Sequence, residues 1–185
     1  HIEQFQPGSY MEFNLLNKDK YNHWHLLRTN KYHNPSTSWN LNITYENALI
    51  IIREKLCKAV IKRMENTERP IAFLLSGGLD SSLVVAIANH YKKTDKRIET
   101  YSIGLEGSTD MEYAKMVSEF CNTNHTHVLV SENDFLNAIE EVIKNIESYD
   151  TTTVRASVGN YLIGKYIREN SDAKVIINGD GSDEI

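Results

Sequence analysis

The sequence predicts an α/β fold: a doubly wound parallel sheet with helices on both faces, preceded by a short β segment. Short, continuous apolar runs such as Ile71-Ala72-Phe73-Leu74-Leu75 read as strands buried on both faces, as parallel pairing requires. These runs alternate with stretches of helical periodicity, the order that βαβ units produce. Polar, turn-forming clusters stand directly after the runs ending at Leu75, Ile103 and Ile177, where an open parallel sheet binds its ligands.

The first 34 residues stand apart from that pattern. Phe5-Gln6-Pro7-Gly8-Ser9-Tyr10 reads as a turn into a strand over Met11–Leu15, and Asn17-Lys18-Asp19-Lys20 as a hairpin-like break. Tyr21–Tyr32 is rich in aromatic residues and His but has no helical stripe. Asn34-Pro35-Ser36-Thr37-Ser38 has linker composition and places a domain boundary near residue 35, separating 1–34 from 35–185.

Beyond the linker, Thr44 is positioned to cap a helix whose apolar face is Tyr45, Leu49, Ile52, Leu56, Ala59 and Val60. Pro70 stops that helix, and Ile71–Leu75 is the first parallel strand. A helix over Leu83–Tyr91, a strand over Ile98–Ile103, a helix over Met111–Cys121 and a strand over His125–Val130 follow. Ser131 caps the next helix, with Phe135, Ile139, Val142 and Ile143 on one face. Val154–Glu169 is a further helix and Lys174–Ile177 the last strand.

Bulk properties narrow the class. The chain has 185 residues, 41% of them hydrophobic, which suffices for one substantial core. A formal net charge of -5 with no block of Lys or Arg argues against a nucleic-acid partner. Apolar runs such as Ala48–Ile52 are too short to cross a bilayer, and the first ten residues lack the pattern of a signal peptide. Cys57 and Cys121 each stand alone within helical periodicity, as small buried hydrophobes do, and suit a reducing, cytoplasmic setting. The chain does not begin with Met and stops on a Gly- and Asp-rich stretch, so it reads as a piece of a longer protein. His23 with His25, and His125 with His127, would share a strand face and could approach zinc. Neither pair has a third ligand nearby in the sequence, so the expected role is structural.

The chemistry concentrates at Ser76-Gly77-Gly78-Leu79-Asp80-Ser81-Ser82, between a buried strand and a helix. Two glycines allow a tight turn and close approach of backbone N–H groups to an anion. The helix that follows adds its positive end, and the hydroxyls can donate to phosphate oxygens. No Gly-Lys-Ser/Thr ending is present, which disfavours gamma-phosphate transfer, and the spacing is not that of a dinucleotide fingerprint. A plain Gly-Gly turn capped by Asp80 or Ser81 is the alternative. Asp80 speaks against it, because a carboxylate within a phosphate loop needs a divalent cation as a bridge.

Ser76 to Ser82 resembles the pyrophosphate-binding loop of the N-type ATP pyrophosphatases, which cleave ATP between the alpha and beta phosphates and transfer AMP to a substrate oxygen. Three further stretches are similar to one family within that group, the glutamine-dependent asparagine synthetases. They are Tyr101-Ser102-Ile103-Gly104-Leu105 with Asp110, Glu147-Ser148-Tyr149-Asp150-Thr151-Thr152-Thr153-Val154-Arg155-Ala156-Ser157, and Gly179-Asp180-Gly181-Ser182-Asp183-Glu184. The resemblance covers roughly residues 70–185, and Phe5 to Tyr10 resembles the end of that family's glutaminase domain.

The resemblance implies an adenine nucleotide alpha-hydrolase-like fold, ATP and Mg2+ as cofactors, and aspartate, ATP and ammonia or glutamine as substrates. It implies that Ser76, Gly77, Gly78, Asp80, Ser81 and Ser82 hold the departing pyrophosphate, with Asp80 and Asp183 on magnesium. Leu74, Ile103 and Gly179 would border the adenine and ribose, and Thr152, Thr153 and Arg155 would line the aspartate and pyrophosphate region. Asp180 stands where the family carries Glu, a group thought to assist proton removal; the carboxylate is kept but its reach is shorter by one methylene. Ammonia would come from an N-terminal glutaminase domain whose Cys nucleophile is not in these residues, and a later Lys and Asp of the family are also absent. The piece itself is therefore expected to hydrolyse no glutamine, and its own turnover is in question. A homodimer is compatible with this reading. The alternatives are a beta-lactam-type or other adenylating synthetase, and an inactive nucleotide-binding domain.

Overall fold

The computed structural model describes residues 3–18, 21–33 and 42–182, arranged as two compact units, 1–45 and 46–185. In the first unit, β1 (Ser9–Lys18) and β2 (Tyr21–Lys31) form an antiparallel pair. Of the break expected at Asn17–Lys20, Asn17 and Lys18 instead belong to β1 and pair with Asn22 and Tyr21, while Asp19 and Lys20, like the linker Asn34–Ser38, lie outside the described residues. β2 occupies the aromatic, His-rich stretch that lacks a helical stripe, and its pairing with β1 is irregular at one point. Glu12 pairs with Arg28 but Phe13 with Leu26, so Leu27 is an extra bulged residue that interrupts the alternation of faces.

The second unit holds α1 (Tyr45–Glu65), β3 (Ile71–Leu74), α2 (Leu79–Tyr91), β4 (Glu99–Gly104), α3 (Thr109–Phe120), β5 (Asn124–Leu129), α4 (Glu132–Ile146), α5 (Thr151–Asn170) and β6 (Val175–Ile177). Its four strands are all parallel, in the order β5-β4-β3-β6. Successive strands step outward from β3 through β4 to β5, then the chain returns to the other side of β3. The order therefore reverses between β3 and β6, and the crevice over their carboxyl ends is the topological switch point.

Alternate residues of the strands serve two cores. Phe73 and Leu75 pack with Val84, Val85 and Ala88 of α2, Ala114 of α3 and Val60 of α1. Ala72, Tyr101 and Val128 face the opposite way, onto Ile163 and Ile167 of α5. A third cluster joins α4 to α5 through Ala138, Val142, Val154 and Val158. Helices thus cover both faces, as the continuous apolar strands require.

Two local expectations change. α1 meets the core of its unit only from Leu56 onward; Leu49 and Ile52 of the expected apolar face are 49% and 60% exposed. α2 starts at Leu79, four residues before the expected Leu83. Asp80, Ser81 and Ser82 read as loop because such residues compete for backbone hydrogen bonds, yet the first turn of a helix accommodates them well. At α4 the expected cap is present: Ser131 Oγ accepts from Asp134 N at 3.2 Å and Asp134 Oδ2 accepts from Ser131 N at 2.7 Å, a reciprocal capping box.

Candidate functional site

The chain leaves β3 at Leu74, and Leu75 N still donates to Tyr101 O at 2.8 Å. Ser76 then turns into Gly77, whose φ of +85° suits glycine. A Cβ at Gly77 would come within 2.6 Å of Tyr113 C and Ala114 N, so the loop is pressed against the backbone of α3. Gly78 is the N-cap of α2 and supplies no side-chain cap. The first N–H groups of the helix therefore face the crevice with no capping partner from Gly78, the arrangement that receives an anion.

Ser81 ties the loop to this first turn. Its Oγ accepts from Ser76 N at 3.3 Å, lies 3.0 Å from Ser76 Oγ and donates to Gly78 O at 3.3 Å. Gly78 N in turn donates to Ser76 Oγ at 3.3 Å.

The turn after β6 rests on the same helix end. A Cβ at Gly179 would lie 2.7 Å from Ser81 N and 2.9 Å from Asp80 C, so only glycine permits this approach. Asn178 Nδ2 donates to Asp180 Oδ2 at 2.7 Å, and Ser182 Oγ donates to Gly179 O at 2.7 Å, fixing the turn. Residues about a hundred positions apart in the sequence, Asp80 with Ser81 and Gly179 with Asp180, thereby border one space.

That space is a cavity of about 390 Å3 at the switch point, within the range of small-molecule sites. Of the residues expected from the sequence, Leu74, Ser76, Gly78, Asp80, Ser81, Ile103, Gly179 and Asp180 line it. Gly77 and Ser82 shape the loop without lining the cavity, and Ser82 Oγ is buried with no hydrogen-bond partner among the described residues. Asp183 lies outside the described residues.

Thr152, Thr153 and Arg155 sit exposed in the first turns of α5, and none lines the cavity. Asp150 caps that helix: Oδ1 accepts from Thr153 N and from Thr153 Oγ1, each at 2.8 Å, and these bonds hold the Asp150 carboxyl below its ordinary pKa. The height of α5 accounts for the separation. Ser171, just after the helix, donates through Oγ to Glu99 at the base of β4. At about 1.5 Å per residue Thr152 stands about 28 Å above Ser171, whereas β4 is only about 17 Å long at about 3.3 Å per residue.

Several lining residues carry no individual signal in the sequence. Tyr101, Ser102 and Asp110 lie within a stretch already noted, but Asn160, Ile163 and Asn178 do not stand out from their elements. Asn160 is legible only once α5 is known to turn that side toward the sheet.

Beneath the cavity, a polar network crosses β4 and β5. Thr100 Oγ1 bonds Thr123 Oγ1 at 2.8 Å and His125 Nδ1 at 3.0 Å; Ser102 Oγ bonds His125 Nε2 at 3.0 Å and His127 Nδ1 at 2.6 Å. Burial lowers the pKa of both rings, with mutual repulsion a further cause at His125. Both rings are half-buried and bonded to strand hydroxyls, while His127 Nε2 is buried with no hydrogen-bond partner among the described residues; no group of three or more His, Cys, Asp or Glu gathers to hold a metal among the described residues. Asp80, Asp110 and Asp180 nevertheless present carboxylates to the cavity. A magnesium ion that takes most of its ligands from water and nucleotide phosphates needs only one or two of them, so the donor set fits.

Fold and site together define the class: a doubly wound α/β domain whose switch-point cavity is closed on one side by a glycine- and serine-rich loop at a helix N-terminus. The sequence profile of the asparagine synthase family matches residues 51–185, and the chain belongs to that family. A probable asparagine synthetase (glutamine-hydrolyzing) of Acanthamoeba polyphaga mimivirus is 40% identical over 100% of this chain, which covers 35% of that protein. The asparagine synthetases (glutamine-hydrolyzing) of Mus musculus and Homo sapiens are 44% and 43% identical over 79% of this chain and 24% of theirs. The chain thus spans about a quarter to a third of the length of these relatives. Among solved structures, the NH3-dependent NAD synthetase of Campylobacter jejuni aligns over 73% of this chain and 58% of its own, at 18% identity and a TM-score of 0.49.

Proposed function

We propose that the protein of which this chain is part converts aspartate to asparagine at the expense of ATP. The aspartate side-chain carboxylate attacks the alpha phosphorus, pyrophosphate leaves, and ammonia displaces AMP from the resulting beta-aspartyl-AMP. The observation that carries this reading is the meeting of two motifs at one helix end, where Gly179 lies against the backbone of Asp80 and Ser81.

In this reading the α2 N-terminus, with Ser76, Gly78 and Ser81, receives the pyrophosphate portion, and Gly77 and Ser82 hold the loop in shape. Asp80 and Asp183 would hold Mg2+, which would supply positive charge to neutralise the leaving group. Leu74, Ile103 and Gly179 border adenine and ribose. Asp180 receives the proton as ammonia attacks, and its bond from Asn178 aims it. Thr152, Thr153 and Arg155 approach the substrate from above the strand ends, and Arg155 neutralises developing phosphate charge.

Ammonia comes from glutamine in a glutaminase domain, of which residues 1–34 form the tail, and the setting is the cytoplasm. No helix among the described residues is long and apolar enough to cross a membrane.

The test is pyrophosphate release by the full-length protein with ATP, Mg2+ and a panel of carboxylates. Release that depends on aspartate, with asparagine as product, is expected. Strong preference for a different carboxylate would replace this reading with another adenylating synthetase.

A further inference from the structure

α5 turns an apolar stripe to the sheet: Ile163 and Ile167, 3% and 1% exposed, pack against Ala72, Tyr101 and Val128. Asn160 continues that stripe one turn closer to the helix N-terminus, on the same side as Ile163. Counted from Ser171 at the base of β4, Asn160 stands about 16 Å up the helix, level with the carboxyl end of a strand about 17 Å long. Asn160 is exposed, so the chain places a solvent-accessible amide where the apolar stripe reaches the cavity.

The cavity has two unlike halves. Ser76, Gly78, Asp80 and Ser81 form the polar half at the helix end, and Leu74, Tyr101, Ile103 and Ile163 form an apolar half that can take a flat ring. The polar edge of such a ring needs a partner, and the other neutral side chains with polar atoms in or beside that half already bond within the protein. Tyr101 Oη donates to Glu99 at 3.1 Å, Ser102 Oγ is shared between His125 and His127, and Asn178 Nδ2 donates to Asp180. Asp110 can only accept. The Asn160 amide makes no hydrogen bond among the described residues, although it also borders a second, shallower groove with Tyr161 and Lys165.

Building on the ATP reading above, we propose that the Asn160 side-chain amide reads the base of the bound nucleotide and selects adenine. Oδ1 accepts from the exocyclic N6 amine while Nδ2 donates to a ring nitrogen, the bidentate match of an amide to adenine.

The experiment measures KM for ATP and for GTP in aspartate-dependent pyrophosphate release by the full-length protein, with Asn160→Leu and Asn160→Asp beside the wild type. Asn160→Leu raises KM for ATP about tenfold, the loss of one good base contact, and leaves KM for aspartate in place. Asn160→Asp keeps the shape but can only accept, which suits guanine N1–H and N2–H2, so the ATP-to-GTP preference falls by about tenfold or more. If both variants keep wild-type KM values and wild-type preference while the wild type splits ATP, the base-reading role is overturned and the adenylation reading stands. A wild type that releases no pyrophosphate from ATP overturns both.

Discussion

Gly179→Ala tests whether the turn after β6 rests on the phosphate loop. The added methyl would lie 2.7 Å from Ser81 N and 2.9 Å from Asp80 C, both backbone atoms of a helix, whereas ordinary contact begins at 3.4 Å. Neither atom can swing aside as a side chain could, so the turn or the helix end must shift by about 0.7 Å. Overpacking of this kind costs about 1–3 kcal/mol, which in a unit of this size lowers Tm by about 3–9 °C. Because the shift falls between Asp80 and Asp180, it also displaces groups that must converge on one nucleotide, and misplacement by about 1 Å can cost about a hundredfold in rate. The assay pairs a thermal melt with ATP titration by calorimetry. Gly164→Ala is the control: its Cβ meets nothing within 4 Å, so this helical position should gain about 0.5–1 kcal/mol with ATP affinity unchanged. If Gly179→Ala melts with the wild type and binds ATP equally well, the contact between the two motifs is not as described.

Three further outcomes are expected. Asp80→Asn lowers Mg2+-dependent ATP affinity by about tenfold or more while leaving Tm near wild type, read by calorimetry with and without the ion; equal affinity would remove Asp80 from the metal. Ser131→Ala removes half of the capping box at α4 and costs about 1 kcal/mol in denaturant titration, with no effect on nucleotide binding. His125 and His127 have pKa values lowered by burial, so the folded state favours the neutral rings. Their contribution to stability is full above the unfolded value of about 6.5 and is lost as pH falls toward the folded values. Tm should therefore drop between pH 7.5 and 5.5, and His127→Gln should drop less; identical pH profiles would show that the rings do not titrate on unfolding.

β3 was legible because a strand buried on both faces leaves no polar interruption, as Ile71 to Leu75 shows. The phosphate loop was legible for the opposite reason: Gly77 and Gly78 beside Asp80 and Ser81 have little use in a core. What escaped depends on tertiary geometry. The bulge at Leu27 left no mark in the sequence, since where an extra residue falls is set by the pairing with β1. The exposed start of α1 looked core-facing, because periodicity reports that a helix has an apolar face and not how much of it a neighbour covers. Asn160 was invisible for a related reason: one amide among Tyr161, Leu162 and Ile163 acquires meaning only from the height at which α5 passes the end of β4.

The hydrogen bonds under the cavity have a consequence for how the sheet assembles. Apolar parallel strands slide past one another at little cost in contact, since Val and Ile pack almost equally well one pleat away. Thr100 opposite His125 and Ser102 opposite His127 restrict that freedom, because a slip of one pleat can keep only one of the two hydroxyl–imidazole pairs and strands the other hydroxyl and ring. The four side chains act as a ratchet tooth between β4 and β5. Ser102 belongs both to that tooth and to the cavity wall, so the register that admits its bonds to the histidines is also the one that sets the height of the cavity floor.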